Sequence, residues 1–90
     1  MGAALSESRL TGLTEQDLFT LAAVRMQDGL TEREIVQVNN MSPGVVRSSL
    51  QVLRGRGLLV REGENFHVPS RQQATVTRTL QHANYLDWRA

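Results

Sequence analysis

The chain has 90 residues, and its ten basic side chains, all arginine, face nine acidic ones for a formal net charge of +1. That length suits one domain with a modest core, and the absence of cysteine excludes a disulfide framework and any thiolate metal site. No apolar run approaches the roughly 20 residues that span a bilayer, and the opening MGAALSESRL lacks the long apolar stretch of a secretory signal, so a cytoplasmic protein is expected.

Residues 1–12 show no clear period and read as an N-terminal arm. Thr14 starts the first helix: its hydroxyl can accept from the Asp17 amide, and the Asp17 carboxylate can answer. Leu18, Leu21 and Ala22 follow helical spacing, with Phe19, Ala23 and Met26 widening the apolar face, and Gly29 ends the segment. Thr31 and Glu34 form a full capping box for a second helix, whose apolar side is Ile35, Val36 and Val38. Asn39-Asn40 breaks it, because Asn tolerates the left-handed conformation that a tight turn needs. Met41 would then plug the core between helices.

Ser42 caps a third helix, and Pro43 takes its first position, where a missing N–H is harmless. Val46, Leu50 and Leu53 make its buried stripe and leave Gly44, Arg47, Ser48, Gln51 and Arg54 on the other side. Gly55 and Gly57 stop it. Leu58 to Glu62 reads as a strand, Gly63-Glu64-Asn65 as a turn and Phe66-His67-Val68 as the returning strand, which Pro69 ends. Ser70 would cap a last helix, with Gln73 completing a capping box. Its apolar positions, Val76, Leu80, Ala83 and Leu86, with Tyr85 and Trp88 near the end, make a stripe too sparse for a buried core helix and too apolar for a free one. The expected core therefore draws on Leu18, Leu21, Ile35, Val46, Leu50, Leu53, Leu59 and Phe66. The fold class is α+β. The units are an arm (1–12), a three-helix domain closed by a two-stranded hairpin (13–69) and an additional C-terminal helix (70–90) that would pair two copies as a homodimer.

The charge is unevenly placed. Residues 1–42 carry a balance of −3, and residues 43–78, with Arg47, Arg54, Arg56, Arg61, Arg71 and Arg78 against Glu62 and Glu64, carry +4. A phosphate-binding footprint is expected where the basic charge collects, in the third helix and the hairpin. Enzymatic chemistry finds no foothold. Ser48-Ser49 has no base nearby in sequence, and Gly55-Arg56-Gly57 lacks the spacing of a phosphate-binding loop. His67 and His82 are two histidines only, too few for a metal site, and both read as solvent-facing. The expectation is no catalytic residues, no metal, no cofactor and no enzyme.

The run Glu34-Ile35-Val36, then Met41-Ser42-Pro43-Gly44-Val45-Val46, then Leu50…Leu53…Gly57-Leu58-Leu59-Val60 resembles the winged helix-turn-helix superfamily of prokaryotic transcription regulators. The last group is similar to the closing run of the recognition helix in MarR-like proteins. The resemblance covers about half the chain. It departs at Asn39, where the superfamily has an apolar residue under the turn, a role that Val38 would take in a shifted register. What it implies is a winged helix reading the major groove of double-stranded DNA with helix 43–54. Gly44, Arg47, Ser48 and Gln51 would lie at the bases, and Ser42 and Pro43 beside a phosphate at the helix N-terminus. Arg54 and Arg56 would hold phosphate, and Arg61 would do so from the wing. The competing reading is a winged helix used for protein contact, favoured by the near-neutral total charge and the acidic wing tip, Glu62 and Glu64.

Overall fold

The computed structural model describes residues 12–82, apart from the His82 side chain. The expected arm and the calls on Ala83, Tyr85, Leu86 and Trp88 lie outside the described residues, as does the expected exposure of His82. Four helices and three strands follow in the order α1 (Glu15–Met26), β1 (Leu30–Thr31), α2 (Glu32–Asn39), α3 (Pro43–Gly55), β2 (Val60–Glu62), β3 (Asn65–His67) and α4 (Ser70–His82).

The local signals act as the sequence implies. Thr14 Oγ1 accepts from the Asp17 amide at 3.1 Å while Asp17 Oδ2 accepts from the Thr14 amide at 3.0 Å. Thr31 and Glu34 repeat the reciprocal pair at 3.2 and 2.9 Å. Asn40 takes the left-handed conformation, φ 53° and ψ 43°, and closes the turn between α2 and α3. Gly57 closes α3, with φ 74°. The Gly57 amide donates to the Arg54 carbonyl at 3.0 Å and the Leu58 amide to the Leu53 carbonyl at 2.9 Å, the two bonds of a Schellman end.

Three expectations are corrected. Val38 is 50% exposed, so it does not fill the space under the turn. Asn39, four residues beyond Ile35, lies on the inward face instead, and its Nδ2 donates to the Phe19 carbonyl at 3.1 Å. A polar side chain thus serves where an apolar one was expected, because a carbonyl of α1 satisfies it. The hairpin is shorter and has company. Leu58 and Leu59 are buried in the core ahead of β2, and β1 adds a third strand in the order β1-β3-β2. Leu30 pairs with Phe66 and Thr31 with Asn65, entered through Gly29 at φ 87°, whose amide donates to the Phe66 carbonyl at 3.0 Å. Finally, Ser70 is the first residue of α4 and not its cap. The Pro69 carbonyl accepts from the Gln72 amide at 2.8 Å, and Gln73 Nε2 reaches the Val68 carbonyl at 3.3 Å.

One core joins all the helices. It holds Leu21, Ile35, Val46, Leu50, Leu53, Leu59 and Phe66, with Leu18 packed against it, and adds Val24, Leu30, Leu58, Val68, Val76 and Leu80. Val76 and Leu80 are wholly buried, so the stripe of α4 is sufficient to dock on its own chain. Arg25 of α1 fixes the contact, its Nε donating to Thr77 Oγ1 at 2.6 Å. The result places α3 with one face in the core, the other in solvent and the β2–β3 hairpin beside it.

Candidate nucleic-acid interface

The outward face of α3 is set by its inward one. Val46, Ser49, Leu50 and Leu53 are buried, so the positions about half a turn away, Gly44, Ser48, Gln51 and Gly55, point to solvent and are exposed. Nothing lies within 4 Å of where a Cβ would stand on Gly44 or Gly55, so the strip is open along its length. Arg47 and Arg54, two turns apart and both exposed, line one edge of it. Val45 and Val52 line the other, 39% and 40% exposed. These two valines were missed in the sequence because apolar residues were assigned to the core stripe; their spacing relative to Val46, Leu50 and Leu53 places them off it. A shallow depression runs beside them, lined by Thr14, Gln16, Ser42, Gly44 and Ser48.

The N-terminus of α3 is largely self-satisfied. Ser42 Oγ accepts from the Val45 amide at 3.4 Å, the Ser42 carbonyl accepts from the Val46 amide at 3.1 Å, and Pro43 has no N–H. The Gly44 amide is what remains for an anion. Ser42 and Pro43 are therefore exposed and shape this end without offering donors of their own backbone to a phosphate.

The arginines differ in surroundings. Arg47 Nη2 lies 3.1 Å from Glu32 Oε2 at the start of α2. Arg54 is exposed beside Leu59, Val60 and Arg61 in the groove between α3 and the wing. Arg56 is half-buried, and its guanidinium lies next to Gly12. Arg61 is exposed on β2, with Nε donating to the Gly63 carbonyl at 2.6 Å, which steadies the wing turn where Gly63 takes φ 61°. Gln51 faces solvent between Arg47 and Arg54. Sequence reasoning thus assembled Gly44, Arg47, Ser48, Gln51 and Arg54 correctly on one helix face, with Arg61 across a groove from Arg54. It placed Arg56 less well, since that side chain faces the start of the described chain.

His67 is corrected as well. It is not solvent-facing: its side chain is 27% exposed and stands between Asp28 Oδ2, 3.0 Å from Nδ1, and Glu62 Oε1, 3.5 Å from Nε2. It ties the loop before β1 to the wing. Among the described residues no group of three or more His, Asp or Glu side chains could hold a metal ion, and no helix is long and apolar enough to cross a membrane.

No protein-family model matches the sequence, and no curated protein matches it. Solved structures do. A MarR family protein of Mycobacterium tuberculosis is similar with a TM-score of 0.73 at 21% identity, over 91% of this chain and 62% of that one. The activation domain of the phage T4 transcription factor MotA is similar with a TM-score of 0.68 at 20% identity, over 91% of this chain and 88% of that one. The chain spans 62% of the length of the MarR family protein. At such identities the likeness is one of fold, and the fold is that of the winged helix-turn-helix superfamily.

Proposed function

We propose that the chain binds double-stranded DNA with sequence preference, as a small transcription regulator that lays α3 in the major groove. The observation that carries this reading is the open strip of α3, with hydrogen-bonding side chains at Arg47, Ser48, Gln51 and Arg54 and no bulk at Gly44. A helix of 13 residues with such a face matches the width of the major groove, where Arg reads guanine and Gln reads adenine through paired hydrogen bonds. Arg47 and Gln51 are assigned to bases. Val45 and Val52 suit thymine methyl groups. Arg54 and Arg61, on either side of one groove, are assigned to phosphate, and Ser42 with the Gly44 amide to the backbone at the helix start. The likeness to a MarR family protein and to part of a transcription factor supports a role in transcription.

Selection of a random duplex library against the chain tests the reading. The expected result is a short enriched motif, and Arg47→Ala should relax one of its positions by about 1–3 kcal/mol. A library that emerges without enrichment contradicts it.

We also propose that the active form is a homodimer, because one helix in one groove makes few contacts and a two-fold pair doubles them on a palindromic site. Since Val76 and Leu80 are committed to the chain's own core, the interface must use other residues. Light scattering at tens of micromolar should give twice the chain mass, and a monomer there contradicts the proposal.

A second reading has its own support. The activation domain of MotA is matched over 88% of its length, and Val45 and Val52 give α3 an apolar edge that a protein could cover. In that case α3 would dock a protein, and binding to duplex DNA would be absent.

A further inference from the structure

The Arg47–Glu32 contact joins the start of α2 to the outward face of α3 across 15 residues of sequence, and it rests there on the DNA reading given above. We infer that Glu32 is a positioning residue that sets the base preference of Arg47. Three features carry this. The contact is single: Arg47 Nη2 meets Glu32 Oε2 at 3.1 Å, which occupies one of the five N–H donors of the guanidinium and leaves the rest for a paired contact to a base edge. The carboxylate is itself held. Glu32 is the first residue of α2, where the helix dipole favours a negative charge, and its side chain is 35% exposed against 64% for Arg47. The partner is therefore the more fixed of the two, and it restrains an otherwise mobile side chain before DNA arrives. Such preorganisation lowers the entropy lost on binding.

The same carboxylate has a second effect, of opposite sign. A negative charge beside the recognition helix repels every phosphate that comes near, whatever the sequence. Glu32 thus trades general affinity for discrimination. A like charge that penalises wrong sites is a recognised route to specificity. The two effects can be separated by one substitution. Glu32→Gln keeps the length and an oxygen acceptor but removes the charge.

The test uses the intact chain and its Glu32→Gln, Arg47→Ala and doubly substituted forms. Each is bound to the duplex selected by the wild type, to that duplex altered at the position Arg47 reads, and to random duplex. Glu32→Gln should bind random duplex about threefold more tightly at low salt, and its discrimination at the Arg47 position should fall about fivefold, part of what a paired arginine contact contributes. In the Arg47→Ala background, Glu32→Gln should leave that discrimination unchanged, which a general weakening of the fold would not reproduce. The inference is overturned if Glu32→Gln tightens all duplexes equally with discrimination intact, since Glu32 would then only mask Arg47. It is also overturned if discrimination falls equally in both backgrounds. A wild type that selects no sequence overturns the DNA reading, and this inference with it.

Discussion

Leu50 and Thr20 show what individual side chains contribute to the scaffold under the recognition face. Leu50 is buried on the inward stripe of α3, so Leu50→Ala leaves a cavity that the neighbouring Val46 and Leu53 fill only in part. The expected loss is about 2–5 kcal/mol in denaturant unfolding, and a loss under about 1 kcal/mol contradicts the packing described. Thr20 is the reverse case. It is wholly buried on α1, and its hydroxyl has no hydrogen-bond partner. Thr20→Val keeps the shape and removes the unpaired group, so stability should rise by up to about 1 kcal/mol. A loss of that size in the same unfolding experiment would mean that the hydroxyl is satisfied. Asn40 shows how much one residue discloses in sequence. Few residues but Gly and Asn enter the left-handed region readily, so Asn-Asn between two amphipathic segments marks the turn. The neighbouring Asn39 discloses nothing, because its partner, the Phe19 carbonyl, is 20 residues away.

The elements divide along the same line. The starts of α1, α2 and α3 are written in capping residues three positions apart, and the end of α3 in Gly57, so these boundaries are legible from neighbouring residues alone. The inner stripe of α3 follows from period, and with it the outward strip that carries the candidate interface. Strand β1 is not legible. Two residues have no period, and Leu30 becomes a strand residue only because Phe66 lies opposite it. The docking of α4 is similar. Its few apolar residues look insufficient until α1 is placed beside them, with the Arg25–Thr77 bond spanning 52 residues. Because Leu80 sits in the common core, Leu80→Ala should lower the unfolding free energy by about 2–5 kcal/mol, independently of protein concentration. A change that vanishes on dilution would instead mark Leu80 as a contact between copies.

At the scale of the whole molecule, charge decides between the two readings of the fold. The net charge of +1 is too small to attract DNA on its own. The +4 balance of residues 43–78 collects on α3, the wing and α4, while Glu62 and Glu64 oppose it at the wing. Attraction is therefore local, and it should fall with single arginines. Arg54→Ala should weaken binding to all duplexes alike and reduce the salt slope by about one, whereas Arg33→Ala, on the exposed side of α2, should do neither. The most direct measurement is the affinity of the intact chain for random duplex DNA as a function of salt, followed by fluorescence anisotropy. With three or four phosphates contacted per chain, log K against log salt should fall with a slope of about −3 to −4. Binding that is absent at low salt, or that does not change with salt, contradicts the assignment of α3 to DNA.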